Sequence, residues 1–228
     1  MAQRTRADAL TRERIVEAAV ELLDADGESG LTFRTLTERL STGPGAIYWH
    51  VANKGELLDA ATASVIGGAL AVEVTGTPQD EIRAIALGLF DAVERHPWLP
   101  PQLAVQLSRS PWSSVTPRIF ESIGQRVSVL GVPESTWFTA TSALVHYVFG
   151  AAGQNAANAR VLARGVDRAD LLDAAANAWE ELDPGDHPFL RAIAGQVRGH
   201  DDREQFLTGI DLILTGITGA APCGSTRP

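Results

Sequence analysis

The side chains best suited to chemistry lie in one short stretch, Leu31 to Leu58, and the chemistry that they suit is recognition of nucleic acid. Arg34 can grip guanine O6 and N7 with two hydrogen bonds. Tyr48 can donate its hydroxyl to a phosphate, and Lys54 can bind a phosphate through its charge. The elements around these residues must therefore present them together on one surface.

The apolar spacing of this stretch predicts two short helices. Phe33, Leu36 and Leu40 recur at three and four residues, on one face of a helix that Thr32 can cap. The segment Ser41–Pro44 then breaks the pattern, since Gly and Pro interrupt a helix and Pro suits the first position of the next one.

The second helix begins at Pro44. Its Ile47 lies four residues from Val51, so both face inward, and Asn53 with Glu56 resembles the capping box of a following helix. Two helices around a tight Gly-containing turn form a helix-turn-helix, which places its second helix in the DNA major groove.

The segment GAIYWHVANKGELLDA resembles the recognition segment of the TetR family of bacterial transcriptional repressors, and LTFRTLTERL resembles that family's second helix. The resemblance covers about the first quarter of the chain. It implies a homodimeric DNA-binding repressor whose C-terminal domain holds a small ligand. It also implies DNA contacts from a set of eight residues: Arg34, Pro44, Gly45, Ala46, Tyr48, Trp49, His50 and Lys54. The alternatives are that Tyr48 and Trp49 belong to the core of the small domain, and that His50 packs or ends the helix.

The sequence departs from the family at the turn, where Thr42 and Gly43 are both small. Pro44, Gly45 and Ala46 have no side chain that forms hydrogen bonds, so we expect thin base readout, with a large share for Arg34 and for DNA shape. Four arginines lie in a basic arm at the N-terminus and at the start of the first helix: Arg4, Arg6, Arg12 and Arg14. Two interpretations of this arm are open: it contacts phosphates or the minor groove of DNA, or it is a solvated tail without a role.

Charge and composition set the context of this stretch. The chain has 228 residues, is 45% hydrophobic and carries a net charge of −9. Residues 1–54 hold seven basic and eight acidic residues, so the acidity lies mostly in the remainder. The N-terminus has no apolar signal segment, and residues 135–159 carry no charge but are too polar to span a membrane comfortably. We therefore expect a cytoplasmic protein with no membrane contact.

Signatures of enzymes are lacking. The histidines are scattered without an i, i+4 pair, Cys223 is the single cysteine, and no phosphate-binding glycine loop or GxSxG motif occurs. We expect no catalytic activity, no metal and no cofactor.

Helical periodicity and Pro or Gly breaks continue to the end of the chain, with no long strand-like alternation, so the predicted fold is all-α. The predicted domains are an N-terminal arm with the three-helix DNA-binding unit (1–58), a larger helical ligand-binding and dimerisation domain (59–221) and a disordered tail (222–228). Predicted helices cover residues 12–25, 33–40, 44–51, 53–72, 78–95, 99–107, 117–130, 134–160, 168–182, 188–197 and 202–219.

Two further sites are predicted in the C-terminal domain. A ligand pocket, for a largely apolar effector, would be lined by Phe90, Trp98, Leu103, Trp112, Trp137, Thr141 and Tyr147. A four-helix dimer face would use Gly150, Gly153, Phe206, Ile210, Ile213, Leu214 and Ile217. The alternative for each set is burial in the core of one subunit.

These expectations combine into one hypothesis. The chain would be a ligand-responsive regulator, most simply a repressor, that binds a palindromic double-stranded DNA operator as a homodimer and is released by a small molecule. The alternatives are an all-α ligand-binding or protein-interaction module that does not bind DNA, and an activator with the same fold.

Overall fold

The structure, a computed structural model, describes residues 10–71, 75–109, 115–162, 165 and 167–219. In these residues the regular structure is helical, with no strand, which confirms the all-α prediction. The helices are α1 (Arg12–Gly30), α2 (Phe33–Leu40), α3 (Pro44–Tyr48), α4 (Lys54–Leu70), α5 (Pro78–Arg95), α6 (Leu99–Arg109), α7 (Val115–Ser128), α8 (Trp137–Leu162), α9 (Arg168–Glu180), α10 (Pro188–Arg198) and α11 (Asp202–Gly219).

Local capping explains where most of these helices begin. The Thr11 hydroxyl accepts from the N–H of Arg14 at 3.3 Å, and Thr77 and Asp80 cap each other reciprocally. Thr32 and Thr35 do the same at the start of α2. At α4 the arrangement differs from the expected box: Asn53 accepts from the N–H of Glu56, but the carboxylate of Glu56 accepts from Ala52 instead of Asn53.

The first three helices enclose a small core of their own. Ile15 and Leu23 of α1, Leu36 of α2 and Ile47 of α3 are each no more than 1% exposed. The predicted end of α1 near Gly27 appears as an interruption, because Gly27 has φ 66 and the helix resumes beyond it to Gly30.

Helix α4 joins this unit to the rest of the chain. It runs without a break through the predicted domain boundary at residues 58 and 59, packing on α1 at one end and on α5, α6 and α7 further along. The C-terminal core lies between α5, α7, α8 and α11 and contains Leu89, Ile119 and Leu144, all fully buried. Because α4 is one unbroken helix, a movement of the C-terminal core can reach the first three helices through it.

Two helix starts differ from prediction. Helix α7 begins at Val115, so Pro117 lies in its first turn, where a missing N–H costs no helical hydrogen bond. Helix α8 begins at Trp137 after a 3₁₀ turn, Glu134–Thr136, which occupies the predicted start. The predicted tail and most of the basic arm, with Arg4 and Arg6, lie outside the described residues.

Within the described ranges, every helix is too short or too polar to cross a membrane. This includes α8, which contains the uncharged segment of the sequence.

Candidate nucleic-acid interface

The turn before α3 positions it against α2. Ser41 adopts a left-handed conformation, φ 49, and its N–H together with that of Thr42 bonds back to carbonyls of α2. Pro44 then occupies the first position of α3, after Gly43 as N-cap. Ile47 is fully buried below, so the opposite side of this short helix faces outward.

That outward side carries most of the predicted DNA-binding residues. The side chain of Trp49 is 90% exposed and that of Tyr48 is 52% exposed. Pro44 and Gly45 are exposed, and Ala46 and His50 are partly exposed. The alternative that Trp49 belongs to the small-domain core is therefore wrong.

Tyr48 combines the two roles weighed for it. Its ring stacks on that of Phe33, with centroids 4.5 Å apart and planes 15° apart, which ties α3 to the start of α2. Half of the residue stays exposed, so the packed ring supports a phenol that is still open to solvent.

Arg34 lies on α2 with its side chain 87% exposed. Its Nε donates to Glu38, one turn later, at 3.0 Å. A guanidinium that binds guanine with two hydrogen bonds must reorient away from this carboxylate, so Glu38 competes with DNA for Arg34.

Lys54 is occupied at the junction of helices. Its ammonium donates to the carbonyl of Glu28 at 2.6 Å, which holds the start of α4 against the end of α1. An ammonium has three donors, so this bond leaves others for a phosphate.

Glu56 fixes the same junction from the other side. It accepts from Ala52 at 2.8 Å and from Arg12, a residue of the predicted arm, at 3.4 Å. The Ala52 N–H, and then Arg12, hold the pKa of Glu56 below its ordinary value because both stabilise the carboxylate.

Several of the residues predicted to line a ligand pocket pack against partners within the described part of the chain. Phe90, Phe206 and Tyr147 form an aromatic cluster between α5, α11 and α8, with Phe206 4.5 Å from Phe90 and 5.8 Å from Tyr147. The Tyr147 hydroxyl donates to the Phe206 carbonyl at 3.2 Å, and burial raises the pKa of this phenol. Tyr147 is thus held by α11.

The other predicted pocket residues have structural partners. Leu103 is 2% exposed in the core, and the indole N–H of Trp137 donates to the Val132 carbonyl at 3.2 Å, closing the loop before α8. Thr141 is 4% exposed and packs against Gly124 of α7. Trp112 lies outside the described residues.

Trp98, which was also predicted for the pocket, has a partner on α1. It is 5% exposed, and its indole N–H donates to Asp24 of α1 at 2.7 Å. Trp98 therefore joins the two parts of the chain. The sequence offers no signal for this pair, since its members are 74 positions apart.

Two cavities near these elements have room for a small molecule. One, of about 310 Å³, has Phe90 and Ala159 on its apolar side and Asn155, Glu94, Arg168, Asp201, Asp202 and Arg203 as its polar lining. The other, of about 620 Å³, lies between α1, α4 and α7 and is lined mostly by charged side chains. Only the first includes a residue predicted for the ligand pocket, Phe90.

The predicted dimer face needs a correction on α11. Phe206, Ile210 and Leu214 are no more than 3% exposed because they pack into the core of their own subunit. Ile213 and Ile217 are partly buried on the same core. The three buried side chains are therefore not available to a second copy, as the alternative for this set had it, whereas Ile213 and Ile217 keep part of their surface open.

The opposite sides of the same helices are exposed. On α11, Leu212 is 70% exposed, and Gly216 has nothing within 4 Å of the position of a Cβ. On α8, exposed residues recur at three and four positions: Ala143, His146, Gly150, Gln154 and Ala157. Gly150 and Gly153 likewise have open space at the Cβ position. We call the five exposed residues of α8 named above, together with Thr208, Leu212, Thr215 and Gly216 of α11, the α8–α11 outer face.

Comparison with known proteins finds two family models that match successive parts of the chain. The model for bacterial regulatory proteins of the tetR family matches residues 15–61, and the model for the tetracyclin repressor-like C-terminal domain matches residues 73–220.

Individual proteins agree with this match. The solved structure of the transcriptional regulator SCO7222 from Streptomyces coelicolor is 63% identical, with a TM-score of 0.87, over 92% of this chain and 99% of that one. The HTH-type transcriptional repressor DrrR1 of Streptomyces coeruleorubidus is 28% identical over 91% of this chain and 77% of its own length. ActR of S. coelicolor, solved in complex with actinorhodin, shares the fold at 24% identity and a TM-score of 0.74, over 94% of this chain and 98% of that one.

Proposed function

The chain belongs to the TetR family of transcriptional regulators, and on that premise we propose that it is a homodimeric repressor that binds a palindromic operator and leaves it when a small effector binds. The observation that carries the proposal is the exposed row on α3, where Trp49 is 90% and Tyr48 52% exposed beside Pro44 and Gly45. A repressor role is supported by the relative DrrR1, which is described as a repressor.

In the proposed complex α3 enters the major groove. Tyr48 and Trp49 contact the sugar-phosphate backbone, Lys54 adds a phosphate contact, and Arg34 reads guanine after leaving Glu38. Pro44, Gly45 and Ala46 allow close approach and contact thymine methyl groups. His50, which is partly exposed at the end of α3, adds a backbone contact. Base readout is thin, so operator choice depends on Arg34 and on DNA shape.

The proposed dimer uses the α8–α11 outer face. Apart from His146 and Gln154, its exposed residues are small or apolar, and glycines such as Gly150 and Gly216 let helices approach closely across a twofold axis. Such a dimer places two copies of α3 toward successive major grooves, about 34–36 Å apart.

The proposed effector site is the 310 Å³ cavity beside Phe90. The Phe90 ring and Ala159 suit an apolar or aromatic group, while Asn155 and the charged rim suit polar substituents, so the effector is an aromatic molecule with polar groups and not a purely apolar one. The related fold of ActR is known with actinorhodin bound. The effector releases DNA to the extent that it binds the DNA-free arrangement more tightly.

The operator-binding proposal is tested with two exposed aromatic residues. Trp49→Ala changes a side chain that is 90% exposed, and Phe189→Ala on α10 changes one that is 71% exposed and remote from α3. Neither removes core packing. We expect Trp49→Ala to weaken binding to the region upstream of the protein's own gene about tenfold, equivalent to ~1.4 kcal/mol, and Phe189→Ala to leave it unchanged.

Fluorescence anisotropy across a salt series measures this binding, and footprinting reports the symmetry of the site. Binding that weakens with rising salt over a two-fold symmetric footprint supports the proposal. Absence of any sequence-selective binding at moderate salt would favour a module whose helix-turn-helix contacts protein. An operator placed to recruit polymerase would make the protein an activator.

The effector site is tested by filling the cavity. Ala159 lines the cavity and is exposed, so Ala159→Phe occupies it with little effect on the core. We expect the variant to bind operator like the wild type but to resist release by aromatic compounds that release the wild type. Equal sensitivity of both proteins would place the effector elsewhere.

A further inference from the structure

The junction between the DNA-binding unit and the C-terminal domain contains a polar contact that the predicted sites did not include. Asp24 lies on α1, and one of its oxygens, Oδ1, accepts from both Nε1 of Trp98 and Nδ1 of His96, each at 2.7 Å. His96 and Trp98 belong to the corner between α5 and α6 and lie edge to face, 5.9 Å apart. We call these three residues the Asp24 clasp.

The side of the clasp that carries His96 and Trp98 is anchored to the ends of α5 and α6. The His96 N–H ends α5 by bonding to Ala92 at 3.0 Å, and its carbonyl accepts from Leu99 at the start of α6 at 2.8 Å. Trp98 is 5% exposed, and Leu99 is fully buried. A movement of α5 or α6 therefore carries His96 and Trp98 with it. Because both residues bond to Asp24, this movement is transmitted to α1 directly and not through α4.

Helix α6 repeats the same pattern of donors and acceptors. Gln102 donates to Glu28 of α1 at 3.0 Å, and the buried Gln106 donates to Asp59 of α4 at 3.0 Å. In each case a side chain of the corner or of α6 donates to a carboxylate of α1 or α4. Charged acceptors make these bonds stronger than neutral ones.

We propose that Asp24 is a positioning residue for operator binding: through His96 and Trp98 it sets the orientation of α1, and with it α3, relative to the C-terminal domain. The clasp thereby helps to define the spacing of the two copies of α3 in the dimer. This inference rests on the proposed homodimeric DNA binding.

The test measures how the affinity of the protein depends on the spacing between the two half-sites of the operator. One set of operators carries the same half-sites with base pairs added or removed at the centre, each changing the separation by about 3.4 Å. The wild type should bind one spacing best and lose at least tenfold in affinity at a change of one base pair.

Two variants break the clasp in different ways. Asp24→Ala removes the acceptor of both bonds, and Trp98→Phe removes the buried one of the two donors while keeping a ring in its site. We expect each variant to lose no more than threefold in affinity when the spacing changes by one base pair. Asp24→Asn keeps an acceptor oxygen and should retain the wild-type profile.

A matched control breaks a polar contact away from the junction. Glu180→Gln removes the carboxylate that pairs with Arg198 between α9 and α10 at 2.6 Å, and it should leave the spacing profile unchanged. If Asp24→Ala does not fold, Trp98→Phe carries the test.

The outcomes separate the two proposals. A folded Asp24→Ala or Trp98→Phe with the full wild-type spacing preference overturns the positioning role while leaving operator binding intact. A wild type that binds none of the operators overturns the proposed function itself. A uniform loss of affinity at every spacing also overturns the positioning role, because it would show only a structural contribution.

Discussion

The close approach of α8 and α11 makes Gly209 the most informative position in the C-terminal core. A Cβ on Gly209 would lie 1.8 Å from Oη and 2.3 Å from Cζ of Tyr147. Carbon atoms in contact need about 3.5–4.0 Å, so in Gly209→Ala the phenol must move by roughly 1.5–2 Å or the two helices must separate.

The cost follows from what holds Tyr147. Its hydroxyl donates to the Phe206 carbonyl at 3.2 Å, and its ring stacks on Phe206 with planes 14° apart. Overpacking costs about 2 kcal/mol, and a lost hydrogen bond costs about 1 kcal/mol. The better helix propensity of Ala returns about 1 kcal/mol, so Gly209→Ala should lower the free energy of unfolding by about 2 kcal/mol.

Urea denaturation at fixed protomer concentration measures this loss. The control is Gly195→Ala on α10, where a Cβ meets nothing within 4 Å and the stability should rise by up to about 1 kcal/mol. A second readout is the phenol itself. In a Tyr48→Phe background Tyr147 is the only tyrosine, and its raised pKa should fall toward the ordinary value once the ring is displaced into solvent.

The reasoning also predicts non-additivity. Tyr147→Ala should remove most of the penalty of Gly209→Ala, because the atoms that clash are then absent. A Gly209→Ala protein as stable as Gly195→Ala, with an unchanged phenol pKa, would refute the packing of Tyr147 over Gly209.

Three further predictions concern the turn, the start of α4 and the outer face. Ser41→Gly should raise the free energy of unfolding by about 0.5–1 kcal/mol, seen as a higher Tm, because Ser41 has φ 49; a lower Tm would contradict the left-handed turn. Glu56 has a pKa held below its ordinary 4.5 by the Ala52 N–H, so its stabilisation is fully present above 4.5 and is lost as the pH falls through the lowered value. Glu56→Gln should therefore lose less stability than the wild type as the pH falls below 4.5, as measured by acid titration followed by circular dichroism. Equal losses in the two proteins would argue against this role of Glu56. Leu212→Glu should dissociate the proposed dimer while the subunit stays folded, as measured by sedimentation equilibrium, whereas Val129→Glu, at a side chain of similar exposure, should not; a dimeric Leu212→Glu protein would place the interface elsewhere.

Local signals in the sequence were sufficient for the helices and for the helix-turn-helix. Thr32 caps α2 and Pro44 begins α3 as predicted, and Thr11 and Thr77 cap helices that begin at the predicted residues 12 and 78. A cap or a helix-starting proline acts through bonds within a few residues, so the sequence is sufficient to place it. The inward position of Ile47 and Val51 likewise follows from their spacing, and it determines that Trp49 faces solvent.

The sequence could not determine which surface each apolar residue meets. The stripe with Phe206, Ile210 and Leu214 suits a second subunit as well as the chain's own core, since periodicity reports only that a face is buried. Packing against α5 and α8 decides this, and it leaves Leu212 on the outside. In the same way, the sequence predicted Trp98 for a ligand pocket from its residue type, and it could not show that the indole N–H bonds to Asp24.

Only the tertiary structure decided the contacts between residues far apart in the chain. Tyr147 over Gly209 and Trp98 on Asp24 depend on how helices cross, and neither residue type nor spacing encodes that crossing. The sequence by itself determined the helices and the exposed surface of the helix-turn-helix because these depend on local bonding. The arrangement that links this surface to the rest of the molecule depends on the packing of all the helices together.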